Sequence, residues 1–337
     1  MVNHSSLDNT MTFTSYGSFR PINYFFFTLT LLVYLLSIFS NVLLMLLIYF
    51  ESSLHKPMYI FLFNLAVNGL IGASTIWPKI MENLLSDTQK ISFVACLLQF
   101  FWCYFYISSA YTTFSVMAYD RYVSICKPLQ YHSIMTPGKV KTLLAAANVV
   151  PLFSISGLVY LSSRVPLCKY TIQNLFCDNL TLLNLSCVKS ALVNLYGVVL
   201  VASLIVFPCI IVLLSYAVIL NVSLKASKDS QKKALSTCSP HLITFVNFAM
   251  AILFFAVYYR YNSSLPGGIS ILITVDVFLI PPLFNPIIYG IRTKEIRKCF
   301  VKTVRKKERY FRVLNFFTVK VRVQSAPINV RFNDYIN

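Results

Sequence analysis

The chain has 337 residues, of which 57% are hydrophobic and only 12% are charged, and its mean hydropathy is +0.68. Soluble domains are roughly half apolar, so this composition argues against a soluble protein. The formal net charge of +18 comes from short basic clusters between long uncharged runs. Such a distribution argues against nucleic-acid binding and indicates membrane topology.

Seven segments are long and apolar enough to cross a bilayer, which requires about 20 mostly apolar residues. The last contains one charge, Asp276, and three prolines, whose freed backbone groups neighbouring helices can satisfy. We therefore predict an all-α membrane protein, a seven-transmembrane helix bundle. Helices one to seven are expected at residues 24–50, 57–82, 92–125, 140–162, 190–223, 234–259 and 266–291.

The basic residues predict the orientation of the bundle. If the N-terminal tail (residues 1–23) is extracellular, the cytoplasmic loops and the cytoplasmic tail (residues 292–337) carry 22 of the 29 Lys and Arg residues. Cytoplasmic segments of membrane proteins are enriched in these residues. The first apolar run exceeds the roughly 7 to 15 residues of a signal-peptide core, so we expect it to remain as helix one.

The predicted outer face carries cysteines and glycosylation sequons. Four of the nine cysteines fall on the predicted outer face: Cys96, Cys168, Cys177 and Cys187. Because the secretory route is oxidising, we expect two disulfides, in one of three pairings; free buried thiols are the alternative. Asn3 is the candidate glycosylation site, since a free tail reaches the transferase most easily. In the cytoplasmic tail, Cys299 beside basic residues is a candidate for palmitoylation.

Polar groups inside spans are costly and therefore suggest function. Asp120-Arg121 closes the third span, so the carboxylate can hold the guanidinium at the cytoplasmic mouth until a partner competes for it. Alone, the pair could equally be an interfacial anchor. Asn285-Pro286 and Tyr289 add an amide, a kink and a phenol near the inner end of helix seven, where a small repacking can switch polar contacts.

Longer strings surround these motifs. Helix three closes with Met117 to Val123 and Ile125-Cys126, and helix six opens with Lys233 to Cys238 and His241-Leu242. Helix two opens with Pro57-Met58-Tyr59, and helix five closes with Ser215-Tyr216. In this order, up to about residue 300, they resemble the odorant-receptor family of rhodopsin-like, G-protein-coupled receptors. The helix-three and helix-six strings are specific to that family.

The resemblance implies a plasma-membrane receptor, not an enzyme, that binds a small-molecule odorant without a cofactor or a metal. Its partner would be a stimulatory G protein that raises cAMP in sensory neurons. Arg121 would be the switch and Asp120 its restraint. The resemblance also implies disulfides Cys96–Cys177 and Cys168–Cys187. Further coupling residues carried over from the family are Tyr122, Tyr216, His241, Asn285, Pro286 and Tyr289.

Two positions depart from the family pattern. Asn68-Gly69 stands where the family usually has an acidic residue in helix two, so a sodium ion is not expected there; fish-type members have a similar pair. Phe248-Ala249 replaces the Phe-Tyr pair of many mammalian-type members, so the contacts of that tyrosine do not transfer.

A ligand pocket should be concave and mostly apolar, with a few polar groups. Tyr104, Ile107, Ser108 and Tyr111 recur at helical spacing in helix three, outward of Arg121. Simple helix packing is the alternative explanation for such a stripe. Further candidates are Leu200 and Leu204 in helix five and Leu253 in helix six.

Asp276 lies roughly two and a half turns outward of Asn285, in the ligand-facing half of helix seven. An ionised carboxylate there needs a partner. Arg260, a cationic ligand group, or water at the rim are the three options.

The cytoplasmic tail begins with a basic amphipathic pattern. Ile296, Phe300 and Val304 recur every four residues among Lys and Arg. This spacing predicts a short amphipathic helix after helix seven, attracted to anionic membrane lipids. Residues 313–337 have no assigned role.

Other function classes fit less well. A transporter would show internal repeats or paired broken helices, and a channel a ring of charges; the sequence has neither. The four histidines are too scattered for a metalloenzyme site. Within receptors, the alternative is a rhodopsin-like receptor for a non-odorant small molecule. Helix seven contains no lysine, which excludes covalently bound retinal in its usual position.

Overall fold

The computed structural model describes residues 10–16, 21–261 and 267–303. Seven of the helices in this part are long and apolar enough to span a membrane, which confirms the predicted fold class. Helix six belongs to a longer helix, Lys228–Tyr261, that begins inside the predicted third cytoplasmic loop. The spans, helices one to seven, are Pro21–Phe50, Pro57–Leu85, Phe93–Cys126, Pro137–Ser163, Ala191–Leu224, Ala234–Val257 and Ile269–Arg292.

Local signals explain where several helices start. Pro57 and Pro137 occupy the first helical position of helices two and four, where a missing N–H costs nothing. The hydroxyls of Ser92 and Thr136 cap helices three and four by accepting backbone N–H groups of their first turns, at 3.2 and 3.3 Å. Helix four therefore starts three residues before the predicted apolar run.

A proline inside helix four ties it to helix three. Because Pro151 has no N–H, the carbonyl of Ala147, four residues earlier, loses its helical donor. The hydroxyl of Thr112 in helix three donates to this carbonyl at 2.8 Å. A bond between helices thus replaces the missing bond within one.

We expected helix seven to be one continuous helix. The structure instead has two segments, Gly267–Phe278 and Ile280–Arg292, separated at Leu279. Pro281 cannot donate to the carbonyl of Val277, and the hydroxyl of Tyr106 in helix three approaches that carbonyl at 3.4 Å. The Tyr106 ring reaches helix seven across Gly72 of helix two, where an added Cβ would lie 2.5 Å from the ring.

The inner half of helix seven is tied to helix one in the same way. Pro286 leaves the carbonyl of Pro282 without a helical donor. The side-chain amide of Asn41 donates to this carbonyl at 2.8 Å. Asn41 is 1% exposed, so the bond lies inside the bundle.

The end of the bundle that we predict to be extracellular carries a small sheet that the sequence did not predict. The strand Thr10–Phe13, which we assigned to the N-terminal tail, lies between Lys90–Ser92, to which it is antiparallel, and Thr171–Ile172, to which it is parallel. Met11 and Phe13 are buried. A helix, Asn179–Leu185, also lies in this region. Asn3 falls outside the described residues.

Two disulfides join the segments at this end of the bundle. Cys96 at the top of helix three is bonded to Cys177, and Cys168 is bonded to Cys187. These are the two pairs that the family resemblance implies. Together with the sheet, they hold the loop between helices four and five over the outer end of the bundle.

The chain remains helical at 294–303 after helix seven, and we call this segment helix eight. Its first turns pack against the loop between helices one and two: Cys299 is buried, with its sulfur 3.6 Å from the hydroxyl of Ser53, and Lys302 pairs with Glu51 at 3.3 Å. The position of Cys299 argues against our palmitoylation hypothesis, because its thiol faces protein and not lipid. Val304 falls outside the described residues.

We expect Thr112→Val to lower the free energy of unfolding by about 1 kcal/mol, because it leaves the Ala147 carbonyl without a donor in an apolar environment. Thermal unfolding of the purified receptor measures the loss. Thr28→Val is the matched control: the exposed Thr28 hydroxyl donates only to Tyr24 of its own helix, so its loss should cost less.

A double-mutant cycle with Pro151→Ala isolates the cause. Alanine restores the N–H that the Ala147 carbonyl lacks, so Thr112→Val should cost less in that background. Equal costs in both backgrounds would contradict the role assigned to Thr112.

Candidate functional site

The end of helix three that we predict to be cytoplasmic carries the predicted switch pair. Asp120 is 1% exposed and lies 3.5 Å from the Arg121 guanidinium. Its other carboxylate oxygen accepts a hydrogen bond from the Tyr131 hydroxyl at 2.8 Å. Burial, together with the nearby Asp120 charge, raises the pKa of Tyr131, so this hydroxyl stays protonated and acts as a donor. Asp120 therefore has two restraining partners, and the sequence suggested only one.

Tyr131 belongs to a short helix, Tyr131–Ile134, in the loop after helix three. Its side chain places this loop next to the buried carboxylate of Asp120. The sequence did not indicate this contact, because two residues eleven positions apart, across the end of helix three and a loop, have no local signature of contact. Within the described residues, the buried Nε of Arg121 has no acceptor.

A buried polar chain connects helices five, six and three. The Tyr216 hydroxyl lies 2.6 Å from Nδ1 of His241, and Nε2 of His241 lies 3.1 Å from the backbone carbonyl of Phe114. A carbonyl only accepts, so Nε2 carries the proton and Nδ1 accepts from Tyr216 in the neutral imidazole. His241 is fully buried. These hydrogen bonds hold the inner half of helix six against helix three.

Helix seven contacts helix six one turn away. Tyr289 is fully buried, and the Thr244 hydroxyl donates to its hydroxyl at 3.4 Å. Asn285 and Pro286 are also buried in this inner half of helix seven. The sequence placed all three residues at a switch, and they share this region with His241. Tyr122 lies apart from them, with the Lys127 ammonium 5.9 Å from its ring.

The interior beside Gly69 is polar but uncharged. An added Cβ at Gly69 would lie 3.1 Å from the side-chain oxygen of Asn41. The buried Asn68 amide donates to the carbonyl of Tyr106 at 2.9 Å. Neutral amides at this position supply no negative charge for a cation. In the part of the chain that the structure describes, no three His, Cys, Asp or Glu side chains are grouped to hold a metal ion.

A column of aromatic rings runs through the bundle from the extracellular loop to the polar chain. Neighbouring ring centroids along it are 5.6 to 5.8 Å apart. Tyr216 stacks on the last ring at 5.5 Å. No sequence signal marked this column, since its members come from four segments. From outside to inside they are Phe176, Phe278, Tyr106, Phe248, Phe114 and His241.

Most of the predicted pocket residues face the interior. Tyr111 is buried, and its ring lies 5.1 Å from that of Phe248. Ser108 is buried one turn above it, and Leu200 and Leu204 of helix five are buried as well. The half-buried pair Tyr104 and Ile107 packs against the same core.

Leu253 was wrongly placed in the pocket. It is 56% exposed and shares an outward face of helix six with Val246, Met250 and Val257, at spacings of four, three and four residues. This face meets lipid. The inward position is taken by Phe255, which packs on Phe176 and Phe278. Because helix six is apolar on every side, its sequence did not distinguish the two faces.

Two carboxylates lie in the outer half. Asp276 is half-buried in the outer segment of helix seven and forms no salt bridge among the described residues; the Arg260 side chain is outside them. Asp178, next to the Cys177 disulfide, accepts the Thr181 N–H at 2.8 Å and caps the loop helix. Burial raises the pKa of Asp178. The sequence search overlooked this residue because it belongs to a loop.

Comparisons with known proteins agree with this arrangement. The model of the olfactory receptor family matches residues 30–307. Human olfactory receptor 56A5 is 36% identical over 272 residues, which are 79% of this chain and 86% of that receptor. Human olfactory receptor 4E1 is 37% identical, with 84% and 89% covered, and mouse olfactory receptor 8C8 is 35% identical, with 82% and 88% covered.

These matches confirm the resemblance seen in the helix-three and helix-six strings. They also confirm that the chain is a receptor and not an enzyme, and that it is a multi-pass membrane protein. The chain belongs to the olfactory receptor family of G-protein-coupled receptors.

Proposed function

We propose that this receptor binds a small-molecule odorant in the outer half of the bundle and activates a stimulatory G protein, which raises cAMP. It would act in the plasma membrane of sensory neurons with its N-terminus outside. The observation that carries the proposal is the aromatic column, because it connects the outer half with His241 at the inner end by direct ring contacts.

The ligand would bind beneath Phe176, between helices three, five, six and seven. Ser108, Tyr111 and Leu204 provide a mostly apolar wall with two hydroxyls, as odorant-sized ligands require. A ligand that displaces the ring of Phe248 changes its contacts with Tyr106, Tyr111 and Phe114. Close-packed interiors pass such shifts on because they do not deform smoothly.

At the inner end, the G-protein α-subunit tail would compete with Asp120 for Arg121. Helix six can leave helix three when His241 releases the Phe114 carbonyl, since this is a single hydrogen bond. As helix six moves, Tyr216 and Tyr289 can exchange their bonds to His241 and Thr244 for contacts of the active arrangement. A ligand drives this transition to the extent that it binds the active arrangement more tightly than the resting one.

We expect agonist-dependent cAMP in cells that express the receptor with an olfactory-type stimulatory G protein. Arg121→Ala should abolish the response, because it removes the positive charge for which the G-protein tail would compete with Asp120. Phe248→Leu should raise the agonist concentration for half-maximal response about fivefold or more, because it breaks the ring column. Both are measured at equal surface expression.

Matched controls are available for both variants. Lys141→Ala removes an exposed charge near the cytoplasmic end of helix four. Phe153→Leu removes a ring of the same helix that is 71% exposed and faces lipid. Both controls should signal like the parent. A full response from Arg121→Ala would exclude the switch assignment, and a response through another second messenger would exclude the stimulatory G protein.

Tyr131→Phe should raise basal cAMP by about fivefold, because it removes one of the two restraints on Asp120 that keep the switch closed. Tyr49→Phe, a tyrosine 68% exposed at the inner end of helix one, should leave basal cAMP at the parental level. If Tyr131→Phe has the same basal signal as Tyr49→Phe, the hydrogen bond does not restrain the receptor.

We also propose that Asp276 contacts the charged group of a cationic ligand. Asp276→Asn keeps the shape of the side chain and removes the charge, so the response to an amine agonist should weaken about tenfold while that to a neutral agonist stays the same. Dose-response curves with both agonists test this. Equal shifts for both would show that Asp276 has only a structural role.

A further inference from the structure

We propose that a groove between helices one, seven and eight binds one anionic phospholipid of the inner leaflet. The groove is a cavity of about 380 Å³ on the lipid-facing surface of the bundle. Its depth in the membrane follows from the cytoplasmic position proposed for helix eight. Its main apolar walls are Phe39, Leu43, Leu47, Ile287, Ile291 and Phe300.

The walls match a hydrocarbon chain and not water. Phe39 and Ile291 are 66% and 63% exposed in the bundle, so they contact lipid in a membrane. Ser40 also lines the groove, but its hydroxyl donates to the carbonyl of Ser37 at 3.1 Å. The wall therefore has little to offer water, and an apolar occupant must fill the space.

Gly290 makes the groove deep. A Cβ built on Gly290 would meet no heavy atom within 4 Å, so the space beside it is open. Gly290 shares this part of helix seven with Pro286, which also lines the cavity. A larger side chain at residue 290 would occupy the groove without displacing protein atoms.

The polar end of the groove carries a positive charge. Arg297 of helix eight lines it and is exposed, with Arg292, Lys294 and Lys298 exposed on neighbouring turns. A guanidinium binds a phosphate through paired hydrogen bonds, and the inner leaflet is rich in anionic lipids. A phospholipid headgroup thus complements this end.

Length and charge favour a phospholipid over other occupants. From Leu47 to Phe39 the groove follows helix one for about 12 Å, within the roughly 15 Å of one leaflet's hydrocarbon. A sterol offers Arg297 only a neutral hydroxyl, which does not balance the positive charge. A second copy of the chain would place another basic helix eight beside the first, so the two would repel. A phospholipid offers an acyl chain to the apolar walls and a phosphate to Arg297.

Native mass spectrometry of the purified receptor tests this proposal. Detergent-solubilised receptor is incubated with equal amounts of phosphatidylserine and phosphatidylcholine that have identical acyl chains, and in a separate sample with cholesterol. The parent should retain one phosphatidylserine in preference. Gly290→Leu should abolish this retention, and Arg297→Gln should weaken the preference for phosphatidylserine about fivefold.

Two controls distinguish occupation of the groove from the general effects of adding a side chain or removing a charge. Gly138→Leu also adds a side chain in open space, at the start of helix four, and Lys298→Gln removes the next charge on helix eight, which does not line the groove. Both should retain phosphatidylserine like the parent. Because Arg297 is exposed, its replacement leaves folding intact, which a symmetric size-exclusion peak verifies.

Three results would overturn the proposal. The first is equal retention by the parent and Gly290→Leu. The second is retention of cholesterol that depends on Gly290 but not on Arg297. The third is a dimer that Gly290→Leu dissociates. All of these readouts are independent of signalling, so they do not depend on the proposed odorant response.

Discussion

The architecture depends on one constraint: inside a bilayer, every backbone carbonyl and N–H must find a partner within the protein. Prolines in the spans violate this rule locally, and side chains of neighbouring helices restore it. Thr112 does so for helix four, and Tyr106 and Asn41 do so for helix seven. Helix three thus holds helices four and seven through bonds that lipid cannot replace, and helix one holds the inner half of helix seven.

The same constraint separates a fixed end of the receptor from an adjustable one. At the outer end, two disulfides and a three-stranded sheet tie the loops to helix three. At the inner end, helix six is held by the His241 contacts and by one bond between Thr244 and Tyr289. Single side-chain bonds can be exchanged at low cost, whereas covalent and sheet contacts cannot. Conformational change is therefore expected at the inner end, which we propose to be cytoplasmic.

Tyr106 links the two ends. Its hydroxyl approaches the freed carbonyl at the break in helix seven, and its ring belongs to the aromatic column that ends at His241. Gly72 leaves the space that the ring occupies. A ligand that moves the rings would therefore act on a residue that also fixes helix seven, which gives the outer half a physical means of affecting Tyr289.

The sequence by itself determined the seven spans and the positions of the prolines, and it predicted the residues of the proposed switch, because these depend on local apolarity, on missing N–H groups and on contiguous motifs. It did not reveal which way Leu253 faces, since helix six is apolar on all sides, nor that Thr10–Phe13 pairs with two distant strands. Only the tertiary structure decided that Tyr131 donates a hydrogen bond to Asp120, that Cys299 is buried and that six rings from four segments form one column. Contacts between segments far apart in the chain have no period or motif, so they are defined only when the helices pack.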